Sequence, residues 1–219
     1  MNATATFARE LRRNALAIGV ATGAYGISFG VLSVGAGLSL PQTVAMSLLV
    51  FTGATQFSVV ATIAAGGGLA TALGNGLLLA ARNTAYGFAM APLLRGSLGR
   101  RLLGSQIVID ESTAMARAQD DPAAARRALL LTGASVYVFW NLGTLLGALA
   151  GDAIGDPASY GLDAMFPAAF LALLAPQLRQ PGAPRAAVAG ALIAAVLVPF
   201  TPAGVPILAA ALGVLVARP

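Results

Sequence analysis

The chain has 219 residues, 58% of them hydrophobic and only 10% charged, with a mean hydropathy of +0.81; soluble domains carry roughly a quarter charged residues, so a water-soluble domain is excluded. The formal charge of +5 resides entirely on arginine among the basic residues, and in a chain this apolar it reports cytoplasmic loop flanks rather than a nucleic-acid partner. Without cysteine or histidine there is no disulfide, thiolate or imidazole proton relay; no metal site and no cofactor is expected.

No charge falls between Arg13 and Arg82, between Arg127 and Asp152, or between Arg185 and Arg218. Gaps of that size fit helices of roughly 20 residues crossing a bilayer, and the apolar runs lack the alternation of a barrel strand. The expected class is all-α: a polytopic helical membrane protein of six to seven transmembrane segments, some of them broken or re-entrant. After a cytoplasmic tail over 1–13, a single transport domain over 14–218 is expected. Its segments are 14–37, 41–65, 69–94, an ambiguous piece over 102–116, 128–151, 164–178, 186–198 and 203–217. The first is read as an uncleaved helix, because its apolar character continues past the length of a signal peptide.

Arg9, Arg12 and Arg13 put the N-terminus in the cytoplasm, and Arg179, Arg185 and Arg218 mark later cytoplasmic flanks. The acidic loop Asp152–Asp163 then lies outside. That orientation demands an even number of crossings between Arg13 and Arg117, which three full spans do not supply. Either one of the first three segments is re-entrant or 102–116 crosses; the crossing version, with seven spans, is preferred.

Arg82 lies near the middle of the third segment, where a guanidinium costs about 2.5–3.5 kcal/mol on insertion scales. It is read as a carboxylate-binding or ion-pairing group in a cavity, with a purely structural pair to an acidic residue, or an interfacial position, as the alternatives. Asp110 and Glu111 are the carboxylates nearest an apolar run, and so its expected partners or carriers of a coupling proton; a solvated surface helix is the alternative. In the second segment Gly53 is crowded by Thr52, Thr55, Gln56 and Ser58. An interrupted helix there would aim free N–H groups at an anionic substrate, whereas ordinary helix packing would need no such role. Gly23, Gly26 and Gly30 in the first segment, and Gly143, Gly147 and Gly151 in the fifth, form smooth helix faces. They read as packing seams, within the chain or with another copy in a homo-oligomer. Trp140 and Asn141 could line a cavity, with an interfacial or packed indole as the preferred reading. No phosphate-cradling loop, nucleophile elbow or paired metal ligands occur in the sequence, so an enzyme is not expected and a passive or ion-coupled conduit remains.

Over most of its length the chain resembles the azaleucine-resistance, AzlC-type permeases. The resemblance rests on SFGVLSVGAGLS followed by SLLVFTGATQF, on ARNTAYGFAMAPLL, on the acidic element from Ile109 to Thr113, and on WNLGTLLGALAGDAIGDPASYGLDAMFPAAFLALLAP. The family pattern has Asn-Ala-Arg-His before the Tyr-Gly; here Ala80, Ala81, Arg82 and Asn83 stand in those places, so Arg82 and Tyr86 carry over and the Asn and His do not. The resemblance implies a permease of the bacterial cytoplasmic (inner) membrane that exports branched-chain amino acids, assisted by a small hydrophobic AzlD-type membrane subunit. The expected substrate-binding set is Gly53, Thr55, Gln56, Arg82, Asn83 and Tyr86. Two other classes remain open: a channel for a small solute, and a non-transporting scaffold whose partner holds the substrate.

Overall fold

The computed structural model describes residues 3–154, 171, 174–175 and 177–216. Among these, every regular element is helical. Most of the expected segment 164–178 and most of the acidic loop 152–163 lie outside the described residues.

Helix α1, Ala3–Gly35, begins well before the apolar run, so the expected tail is helical; its arginines are good helix formers and need no loop to reach water. Two residues past its end stands Gly37, whose φ of +91° is the left-handed value that glycine adopts freely. Ser39 then caps α2, Leu40–Leu49: its amide donates to Gln42 Oε1 and its hydroxyl accepts from the Gln42 amide, with Pro41 in the first turn. The second expected segment is not one helix. Val50, Phe51 and Thr52 leave helical geometry before α3, Gly53–Ala64, begins.

Helix α4, Leu69–Met90, carries Arg82 and ends in a 3-10 turn at Ala91–Leu93. The expectation of one crossing helix over 102–116 is not met. Ile107–Ile109 divide that stretch into α5, Leu98–Gln106, and α6, Asp110–Arg117. At 1.5 Å per residue these are about 14 and 12 Å long, well short of a bilayer core. Ser112 enforces the division, accepting from the Ile109 amide at 3.0 Å while donating to Ile107 O at 2.7 Å.

Helix α7, Pro122–Ile154, starts earlier than the expected segment because Asp121 Oδ2 accepts from the Ala124 amide and Pro122 supplies a first-turn φ. Helices α8, Ala183–Leu197, and α9, Val205–Ala210, follow, and a 3-10 stretch runs over Ala211–Val216. Asn75 of α4 holds this end of the molecule, donating to Thr62 Oγ1 at 2.9 Å and to Gly204 O at 3.3 Å.

The dominant packing is α1 against α7. A Cβ added at Gly26 would stand 2.5 Å from Trp140 O, one at Gly23 3.0 Å from Phe139 O, and one at Gly151 3.2 Å from Val31 Cα. At Gly143 it would meet Gly23 O, at Gly147 Ile27 O, and at Gly30 Thr144 O. The two glycine rows therefore face one another, backbone against backbone. Part-way along the seam Phe29, Phe57 and Trp140 form an aromatic core, Phe29 stacked on the indole at 6.3 Å and Phe57 edge-on to both.

Among the described residues two helices, over Ala8–Gly35 and Pro122–Gly151, are long and apolar enough to cross a membrane. The outer surface carries Leu49, Phe88 and Phe200, each three-quarters or more exposed, while Thr43, Ser47, Thr132 and Thr144 are buried. That inversion suits a lipid exterior.

Candidate functional site

The break between α2 and α3 opens onto a cavity of ≈650 Å³, within the range of about 300–1,000 Å³ typical of small-molecule sites. Phe51, Thr52, Gly53 and Ala54 of the break form one wall, and Arg82 and Tyr86 of α4 another. Asp110 and Glu111 close it at the start of α6. Phe57, Leu79, Ile109, Val136 and Trp140 give it an apolar side.

Arg82 Nη2 lies 2.8 Å from Asp110 Oδ2. The two side chains are 38% and 41% exposed, so the pair is open at the cavity rather than sealed in the core, and its groups can exchange partners. Asp110 and Glu111 occupy the first turn of α6, where the helix dipole favours negative charge.

The two sides of the break are finished differently. The last carbonyls of α2 are occupied: Leu48 O accepts from Gln106 Nε2 at 2.8 Å and from the Tyr137 hydroxyl at 3.2 Å, and Met46 O accepts from Gln56 Nε2 at 3.1 Å. Thr52, at the start of α3, makes no side-chain cap. The first-turn amides of Gly53, Ala54 and Thr55 lack an intrahelical acceptor by the geometry of any helix start. The break thus offers the cavity donors and positive dipole, not acceptors, which suits an anionic group.

The sequence candidates divide. Gly53, Arg82, Tyr86, Asp110 and Glu111 meet at the cavity; Thr55, Gln56 and Asn83 are not among its described walls. Gln56 is fully buried and its amide is spent on the scaffold: besides the bond to Met46 O, its Oε1 accepts from Trp140 Nε1 at 2.9 Å. Thr55 Oγ1 and Asn83 Oδ1 are buried without a hydrogen-bond partner. The six seam glycines lie along the α1–α7 contact and are not among the cavity's described walls, although Gly26 packs on the backbone of the wall residue Trp140.

Sequence reasoning missed Thr22 and Tyr25 of α1 and Gln177 and Gln180 near the later part of the chain, all cavity walls; nothing in their local patterns marks them. Trp140, read as a packed group, is both packed and a wall. A Cβ added at Gly53 would stand 2.8 Å from its Cη2, so the glycine is needed for the indole to lie against the break. That pairing has no signature in sequence, since the two residues come from different segments.

The family model described as AzlC protein matches residues 17–154. That span runs from α1 through α7 and includes the break, Arg82, Tyr86, Asp110, Glu111, Trp140 and both glycine rows; α8 and α9 lie beyond it. No curated protein and no solved structure matches the chain. The family is associated with membrane transport rather than catalysis, and the match covers well over half of the sequence: the chain belongs to the AzlC family.

Proposed function

We propose that this chain is the transport subunit of a secondary exporter for amino acids with apolar side chains. It works as a polytopic protein of a bacterial cytoplasmic membrane, N-terminus inside, together with a small AzlD-type subunit. The observation that carries the reading is the ion pair of Arg82 and Asp110 at the mouth of a half-apolar cavity. A zwitterion complements both members: its carboxylate takes the Arg82 guanidinium and the open first turn of α3, and its ammonium takes Asp110 or Glu111. The aliphatic side chain then rests against Phe57, Val136 and Trp140. Thr55, Gln56 and Asn83 act behind this surface, supporting the walls.

The test is efflux of preloaded labelled leucine, valine and methionine from vesicles holding the chain with and without its small partner, under an imposed pH gradient. Gradient-dependent efflux lost in Arg82→Ala supports the exporter. Flux that runs down its own gradient with no response to pH, and with channel-like conductance, would replace it with a solute channel. Absence of flux from correctly folded protein, alone and with the partner, would sink the transport reading.

A further inference from the structure

Helix α5 is attached to the rest of the chain at few points. Of its residues only Gly104 is buried, packed where a Cβ would stand 2.8 Å from Leu94 Cδ2. At its end Gln106 Nε2 reaches the carbonyls of Leu48 and Leu49. The helix before Gly104 is bare: Leu98, Leu102 and Leu103 are 61–76% exposed, and Arg100 and Arg101 are exposed beside them. At about 100° per residue the three leucines span an arc of roughly 140°, with Arg101 about 60° beyond one edge and Arg100 about 60° beyond the other. Arg95 stands just upstream, also exposed, and the chain has no acidic residue between Glu10 and Asp110.

A leucine arc bracketed by arginines is the pattern of a helix lying in the plane of a membrane surface. The apolar arc enters the acyl boundary while the guanidinium groups rise along their own stems to the phosphates. A helix of this length cannot cross, and the segment carries no carboxylate to pair with its three arginines, which leaves them for an anionic surface. We infer that α5 is a docking helix for anionic phospholipid headgroups, lying in the interface with Arg95, Arg100 and Arg101 on the lipid phosphates. The inference rests on the membrane reading above but not on the cargo. Gln106 connects it to the end of α2 at the break, through the carbonyls of Leu48 and Leu49.

The chain contains no cysteine, so single thiols can be placed without background. Leu103→Cys and Leu102→Cys, each carrying a fluorophore, are reconstituted as the full chain in vesicles of phosphatidylethanolamine and phosphatidylglycerol containing nitroxide lipids with the nitroxide at a shallow or a deep acyl position. The expected result is quenching at least about threefold stronger by the shallow nitroxide than by the deep one. Replacing phosphatidylglycerol by phosphatidylcholine, or combining Arg100→Gln with Arg101→Gln, is expected to reduce that quenching by a similar factor. Equal quenching with and without anionic lipid would overturn the headgroup assignment, and stronger deep quenching would make α5 part of a crossing. Quenching abolished when the small partner is co-reconstituted would assign the leucine arc to that protein instead. None of these outcomes depends on leucine efflux, so a failed cargo assignment would leave the lipid result standing.

Discussion

The α1–α7 seam and the α2–α3 break are both places where glycine replaces a side chain, yet they use the vacancy in opposite ways. In the seam, the missing Cβ atoms of Gly26, Gly30, Gly143 and Gly147 let one backbone lie on the other, leaving nothing that can rearrange. At the break, the missing Cβ of Gly53 admits an indole, and polar side chains from α3, α5 and α7 stitch the loose ends. Close packing between backbones has a single geometry, whereas a helix interruption held by amides and a phenol can exchange hydrogen bonds at little net cost. The seam is suited to be the fixed frame and the break the part that responds to cargo.

Substitutions can break this comparison. The largest loss of stability is expected for Gly147→Ala, whose new methyl would meet Ile27 O. Since neither backbone can yield locally, a cost at or above the usual overpacking range of about 1–3 kcal/mol is expected, read as a lowered unfolding temperature in detergent. Seam tolerance of this change would mean the helices slide. Arg82→Ala is expected to leave the unfolding temperature near that of the parent while cutting leucine efflux about 100-fold, equivalent to about 2.7 kcal/mol. A matching loss of stability would make Arg82 structural. Gln56→Met removes both the Trp140 and the Met46 bonds, so it should cost about 1–3 kcal/mol for the buried groups left without partners. Efflux is expected to fall about tenfold, as the break loses its register. Efflux unchanged in a destabilised Gln56→Met protein would show that the stitching serves folding alone. The smallest effect is expected for Gly87→Ala in α4, where a Cβ meets nothing within 4 Å. Neutrality, or a gain of up to about 1 kcal/mol in unfolding measurements, would separate a permissive glycine from the seam glycines.

How much of this was legible in the sequence depended on what each feature has for contrast. The glycine rows stood out because they recur at helical spacing, but that row met row required a contact between residues more than a hundred positions apart, which periodicity does not encode. The pairing of Arg82 with Asp110 was readable because charge is scarce, leaving few carboxylates near an apolar run. The break was readable from its crowded glycine and threonines, though placed at Gly53 rather than at Val50–Thr52. Gln56 was read as a substrate ligand because a polar residue in an apolar helix looks the same whether it faces a cargo or a carbonyl. The division of 102–116 at Ile107–Ile109 was hidden because Ser112 stops the helix through its hydroxyl, and a serine carries no such instruction in isolation. Thr22 and Tyr25 became walls only because the fold brings α1 beside the break, more than twenty residues away in sequence.

Trp140 is the chain's single tryptophan, and it touches the cavity, the break and the aromatic core at once. The protein therefore carries a built-in optical reporter: under excitation selective for tryptophan, the emission of this chain comes from one indole at the point where cavity, break and frame meet. A change in its wavelength or lifetime on adding leucine is the expected sign that the proposed cargo enters the cavity.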